Sequence, residues 1–180
     1  MKRTIRSGLL AALLPFFMAS LVYAEGKEDK SLKALEVTKS TPKVEVRDSQ
    51  IGYRDTLLFY SFADRMAVLM LQIGNKDQSF PMAGTIHVFA DSVKKEDLEK
   101  WINNQHSDAL YPDVPEPKST HKLPGESCKV TSRKVIDRSK QMFGEFDNYS
   151  VTFEVKDYSD NKGVALKGFS DTAKVYVKTK

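Results

Sequence analysis

The feature that most constrains the fold of this chain is a two-residue alternation of apolar and polar side chains. In the stretch NYSVTFEVKD, Val151, Phe153 and Val155 fall on one side and polar residues fall on the other. The same alternation recurs in KVEVRD at 43–48 and in TAKVYVKTK at 172–180. Because successive side chains of a strand point to opposite faces, each stretch predicts a half-buried β-strand.

The stretch TLLFYSFADRMAVLMLQIGNKD, residues 56–77, has a long apolar run that also fits a helix. The segment ADR at 63–65, with two charged residues, interrupts it, and the turn-forming GNKD ends it. We predict a hairpin of two central strands at about 56–62 and 66–73, buried on both faces, with a single helix as the alternative. The two charged residues at its centre argue against a membrane span.

One segment changes to the helical period. In SVKKEDLEKWINNQ, the apolar residues Leu98, Trp101 and Ile102 lie three and four positions apart, as one stripe of a helix. Ser92 is placed to cap its start, and Glu96 and Lys100 have the favourable i, i+4 spacing. The pattern predicts a short helix over 93–104.

Together these patterns predict a mainly β fold, an antiparallel β-sandwich of about seven or eight strands. One short α-helix and a long proline-rich loop are inserted in it. The strands do not alternate with helices, which argues against a doubly wound fold. We predict a single sandwich domain over 43–180, preceded by a charged spacer at 25–42. Leu32, Leu35 and Val37 could form a first strand at the end of that spacer, and the sequence leaves this open.

The beginning of the chain has the pattern of an export signal. Three basic residues precede an apolar run at 9–22, which Pro15 interrupts, and Val22 and Ala24 suit the cleavage site. The run is shorter than the roughly 20 residues of a membrane-spanning helix. We predict a cleaved signal peptide at 1–24, export to the periplasm or the extracellular space, and no integral membrane anchor after processing.

Cleavage changes the charge balance. The chain has 28 basic and 24 acidic side chains, and three of the basic ones lie in residues 1–24, which contain no acid. The remaining 156 residues carry a formal charge of +1, so the basic character belongs mostly to the signal. A nearly neutral chain predicts no nucleic-acid partner.

Cys128 is the only cysteine, so the chain cannot form an intrachain disulfide. In an oxidising compartment a lone cysteine is buried, reactive or paired with another chain. Burial is the simplest interpretation. A dimer through Cys128, or an assembly through an exposed edge strand, is the alternative.

The chain lacks the GxSxG, GxxxxGK and HExxH motifs, and we predict neither a cofactor nor a metal. His106 and Asp108 form an HxD pair to which His121 could return, as an acid–base or metal site. The simpler interpretation of His106 is that it lies at the C-terminus of the helix and hydrogen-bonds to the free carbonyl groups there. Asp157, Asp160 and Asn161 resemble calcium ligands in type, but their spacing favours an ordinary turn.

The segment 105–124 holds four prolines, which disfavour helix and predict a long loop. Such loops are often functional, although prolines can also protect a sheet edge. The leading prediction is an exported, non-catalytic binding or interaction module with its contact face near helix 93–104 and loop 105–124. Its partner is an unknown protein or small-molecule ligand, and five residues are predicted to contact it: Trp101, His106, Asp108, Tyr111 and Asp113. The alternative is a small secreted hydrolase-type or metal-dependent enzyme near His106, Asp108 and His121.

Overall fold

The computed structural model describes residues 34–47, 55–75, 78–106, 111–141 and 144–179. It confirms the predicted mainly β class: two antiparallel sheets pack face to face, and one short α-helix covers the outer face of the larger sheet. The predicted signal peptide at 1–24 lies outside the described residues. Within them, no helix is both long and apolar enough to cross a bilayer.

The larger sheet contains five strands in sequence order, each antiparallel to its neighbour. Their bounds are β1 (Lys43–Arg47), β2 (Thr56–Phe62), β3 (Ala67–Ile73), β4 (Met82–Val88) and β5 (Ser119–Lys122). In this order, β1 and β5 are the edge strands among the described residues.

The central hairpin β2–β3 forms as predicted, and the helix alternative for this segment is wrong. Its turn is a short 3₁₀ helix at Ala63–Arg65, and Met66 follows in the left-handed region with φ of 45°. Leu58 and Tyr60 point into the space between the sheets, whereas Phe59 points to the outer face. Burial on both faces explains why the sequence shows a continuous apolar run instead of an alternation.

The smaller sheet has the strand order β10–β7–β6. Between β7 and β10 in the sequence, β8 and β9 form a separate two-stranded ribbon. The bounds are β6 (Cys128–Gln141), β7 (Gly144–Val155), β8 (Tyr158–Ser159), β9 (Ala165–Leu166) and β10 (Phe169–Lys178). Alternate residues of β7 and β10 enter the core between the sheets, as the two-residue pattern predicts: Val151, Phe153, Val155, Ala173, Val175 and Val177. In this sheet, the stretches with the strongest alternation line the core.

The helix α1 (Lys95–Asn104) begins two residues later than predicted. Lys94 occupies its N-cap position without a side-chain cap, so Ser92 does not have the predicted role, and Lys100 pairs with Asp97 at 3.0 Å. The predicted apolar stripe of Leu98, Trp101 and Ile102 is buried on the outer face of the larger sheet. This packing makes helix, five-stranded sheet and three-stranded sheet successive layers.

Two segments differ from expectation in detail. Leu35 forms an isolated parallel bridge with Leu166 and exchanges backbone hydrogen bonds with Ala165 and Lys167, both of 2.8 Å. Among the described residues, the spacer therefore contributes a bridge rather than a full strand. The predicted loop 105–124 contains the strand β5, whose four residues pair with β4.

The outer edge of β10 is covered by side chains of the larger sheet. Lys43 and Glu45 of β1, Thr56 of β2 and Asn75 beyond β3 bond to its backbone. The bonds run from Lys43 Nζ to Thr172 O (2.5 Å), from Lys174 N to Glu45 Oε1 (2.9 Å), from Thr56 Oγ1 to Lys174 O (3.0 Å) and from Asn75 Nδ2 to Tyr176 O (3.0 Å). These contacts occupy backbone groups that would otherwise accept another strand.

The opposite edge of this sheet, β6, is exposed. Val135 and Ile136 are each about half exposed, at 50% and 51%. Its register with β7 shifts between Val130 and Ser132 and again between Val135 and Asp137. Such bulges twist an edge and hinder regular strand pairing.

Candidate functional site

Trp101 belongs to the packing of α1 against the sheet. It is 6% exposed, and its ring lies edge-on to Phe89 at 5.3 Å and tilted against His87 at 4.7 Å between ring centroids. In this position Trp101 fixes the helix to β4 and presents little surface to a partner.

The structure separates the histidines that the sequence grouped. His106 follows α1 on the outer face, where its ring centroid lies 6.2 Å from that of Phe59. His121 pairs across β5–β4 with Ile86, which belongs to the core on the inner face. The five-stranded sheet therefore lies between His106 and His121, and Asp108 lies outside the described residues.

Tyr111 and Asp113 are exposed, at the start of the segment that leads to β5. The Asn104 side chain holds Tyr111: Asn104 Nδ2 donates to Tyr111 O at 3.0 Å, and Tyr111 N donates to Asn104 Oδ1 at 2.8 Å. Asp113 has a φ of 60°, in the left-handed region. The tether orders the backbone beside the end of α1, while Tyr111 as a whole remains 47% exposed.

A groove of about 280 Å³ runs between α1 and the edge of the larger sheet. It is lined by nine residues: Pro42, Val44, Ser61, Ala63, Lys95, Leu98, Glu99, Ile102 and Asn103. Val44 is 38% exposed on the edge strand, and Leu98 and Ile102 are the buried helix residues beneath. The groove is thus apolar in its depth and carries one cation and one anion, Lys95 and Glu99, on the helix.

A second site forms on the inner face around His121, whose side chain is only 3% exposed. His121 Nδ1 lies 2.5 Å from Asp160 Oδ2, and His121 Nε2 lies 2.8 Å from Ser119 Oγ. Because a carboxylate can only accept, Nδ1 carries the proton, and in the neutral imidazole Nε2 accepts from the Ser119 hydroxyl. The three side chains form a hydroxyl–imidazole–carboxylate relay.

Asp160 is held in place by its own turn. Its Oδ1 accepts the backbone N–H groups of Val164 at 2.9 Å and Lys162 at 3.0 Å, and the Tyr158 hydroxyl lies 3.4 Å from Oδ2. The hydrogen bond from the Val164 N–H and that from His121 lower the pKa of the Asp160 carboxyl. The predicted turn is present, and Asp160 bonds within it rather than with a cluster of calcium ligands.

Sequence reasoning missed the relay because Asp160 is 39 residues from His121 and Ser119 lies within the predicted loop. Ser119 and His121 are two positions apart and share a face only if their segment is extended. Recognition of STHK as a strand would have placed the two side chains together. The partnership with Asp160 has no local signal.

His87 and Thr120 form a partly similar contact on the outer face of the same two strands. Thr120 Oγ1 lies 3.3 Å from His87 Nδ1, but His87 Nε2 is buried with no hydrogen-bond partner among the described residues. Burial lowers the pKa of the His87 imidazole. This pair has a hydroxyl and an imidazole but no carboxylate.

Cys128 is buried, and burial raises the pKa of its thiol to about 11. A Cβ placed on Gly84 would lie 3.1 Å from its sulfur, which shows how closely the β4 backbone covers it. A disulfide between two copies would therefore require local opening of the core. Within the described ranges, no three histidine, cysteine, aspartate or glutamate residues lie close enough together to hold a metal ion.

Comparison of the chain with protein-family models, with curated proteins and with solved structures finds no match in any of the three.

Proposed function

We propose that the protein is an exported binding module that takes up an extended segment of a partner protein in the groove beside α1, without catalysing a reaction there. The observation that carries the proposal is the groove of about 280 Å³ between α1 and the edge strand β1. The export pattern at the beginning of the sequence supports action in the periplasm or the extracellular space.

The size of the groove favours a single large apolar side chain as its occupant. Pockets for drug-sized molecules have volumes of roughly 300–1,000 Å³, and this groove lies just below that range. Its apolar depth, formed by Leu98 and Ile102, favours an aliphatic or aromatic group. A leucine-sized side chain would bury most of its surface there.

The edge strand β1 supplies the means to hold the rest of the segment. Pro42 O accepts a hydrogen bond from Ser61 N, so by the alternation of an antiparallel ladder the backbone groups of Lys43, Glu45 and Arg47 point away from β2. An extended peptide can pair with these groups and direct every second side chain toward the groove. Backbone pairing would give affinity, and the groove would select the side chain.

The test uses nuclear magnetic resonance with a blocked pentapeptide of four threonines around a central leucine as the probe. We expect millimolar peptide to shift the amide signals of β1 and α1. A matched peptide with central alanine should shift them less because it leaves the groove empty. A peptide with proline next to the leucine should also shift them less because it cannot complete the backbone pairing.

The variant Val44→Lys places a charge at the mouth of the groove on an exposed position, so it should weaken binding of the leucine peptide by about tenfold with little effect on folding. The matched control is Val135→Lys, the same change on the exposed edge strand β6, which should leave binding unchanged. Equal binding by Val44→Lys and the parent chain, or signals shifted only outside β1 and α1, would contradict the proposal.

A further inference from the structure

We propose that Ser119, His121 and Asp160 form a reactive-serine site that accepts activated acyl groups. This inference goes beyond the binding function and does not depend on it, because the relay lies on the opposite face of the five-stranded sheet from α1. The relay has the atom order in which such groups cooperate: a serine Oγ at Nε2 of the imidazole, and a carboxylate at Nδ1. Unrelated folds reach the same order, which is recognised by geometry and not by position in the sequence.

Each group has a definite role. Asp160, held by the turn from 160 to 164, fixes the tautomer and the ring orientation of His121 and stabilises the imidazolium that forms when the ring takes up a proton. His121 Nε2 is then free to remove the proton from Ser119 Oγ. Ser119 stands at the first position of the edge strand β5 and is partly exposed, so an acyl carbon can approach it.

The backbone beside Ser119 supplies a donor for the developing oxyanion. Leu123 N donates to Gly84 O, so the ladder places the N–H of His121 toward β4 and the N–H groups of Thr120 and Lys122 toward the open side. The Thr120 N–H belongs to the residue that follows the nucleophile. Oxyanion holes commonly use the donor at that position.

The reaction with an aryl ester proceeds in two steps. Ser119 Oγ forms a bond to the acyl carbon as its proton passes to His121 Nε2, and the aryloxide leaves with that proton as a phenol. Water then attacks the acyl-serine, gives a proton to His121, and releases the carboxylic acid while the proton returns to Ser119 Oγ. No oxidant, metal or further reactant is required, and the net change is hydrolysis of one ester.

The first test treats the folded chain with a fluorophosphonate, which transfers its phosphonyl group to an activated serine hydroxyl with loss of hydrogen fluoride. Intact mass measurement and peptide mapping should find one adduct, on Ser119. Ser119→Ala should abolish labelling, and His121→Gln should slow it by about 10²–10⁴-fold because the general base is lost. His87→Gln, the same change at the histidine without a carboxylate, is the matched control and should label at the parent rate.

The second test replaces only the serine oxygen by sulfur and decides the question even if Ser119→Ala or His121→Gln fails to fold. Ser119→Cys places a thiol beside His121, and imidazole partners lower thiol pKa values. We expect this thiol to react with iodoacetamide at a lower pH than the thiol of Ser132→Cys, placed on exposed β6. The proposal would be overturned by the absence of an adduct on Ser119 of the parent chain, by equal labelling in folded His121→Gln and parent chains, or by identical pH profiles for the two thiols.

Discussion

The two faces of the strand pair β4–β5 carry similar side chains in different electrostatic surroundings. On the inner face, Ser119 contacts His121, and Asp160 completes the hydrogen bonding of the ring. On the outer face, Thr120 contacts His87, whose ring packs against Trp101, and the remaining ring nitrogen has no partner among the described residues. The two histidines thus differ by one carboxylate from a distant turn: His121 has Asp160 as an acceptor, whereas His87 has none among the described residues.

The largest effect should follow loss of that carboxylate. Asp160→Ala removes the acceptor for two backbone N–H groups and for His121, so we expect the free energy of unfolding to fall by about 3 kcal/mol. Asp160→Asn retains an oxygen for the turn and should lose less. Urea denaturation measures both, with the exposed Asp91→Ala as the control. Equal losses for Asp91→Ala and Asp160→Ala would remove the distinction between the two faces.

A smaller difference is expected when each histidine becomes phenylalanine. His121→Phe leaves the Asp160 carboxylate and the Ser119 hydroxyl without their partner, which should lower the free energy of unfolding by about 2 kcal/mol. His87→Phe removes Nε2, which has no partner among the described residues, and the 3.3 Å contact of Nδ1 with the exposed Thr120 hydroxyl, which water can replace. Its effect should therefore stay within about 0.5 kcal/mol. Thermal denaturation of the two variants compares them directly. A greater loss at His87 would reverse the comparison.

The smallest effect concerns the pH dependence of stability. Burial places the pKa of His87 below its ordinary value of 6.5, so the unfolded chain binds this proton first as the pH falls. Stability from the neutral ring is therefore complete above about pH 6.5 and is lost as the pH falls from there through the folded pKa. His87→Phe should flatten this part of the profile, measured as urea midpoints between about pH 7.5 and 5. Parallel profiles for variant and parent would contradict the assignment.

The sequence predicted those parts of the fold whose signals are local. The alternation in β7 and β10 and the interruption at 63–65 were sufficient to place strands and a hairpin. The stripe of α1 likewise identified the buried side of the helix, but its partners on the sheet give no sequence signal. The sequence therefore does not show that Phe89 and His87 pack against Trp101.

The candidate sites were harder to predict because they join segments that are far apart in the chain. The groove needs the start of β1 and one side of α1, and the relay needs the turn that contains Asp160. β5 itself is only four residues long, with Pro112, Pro115 and Pro117 before it and Pro124 after it. The turn-forming residues around it therefore outweighed its own strand pattern. Predicting it as loop concealed that Ser119 and His121 share a face.

The covered edge of β10 limits how this protein can self-associate. Filament growth by strand addition needs a donor edge and a separate acceptor edge on each copy, so that every added copy leaves a fresh end. In the three-stranded sheet, Lys43, Glu45, Thr56 and Asn75 already occupy one of the two edges. Joining two copies through β6 would consume the other edge in both partners at once, so that this sheet would close as a pair and would not polymerise.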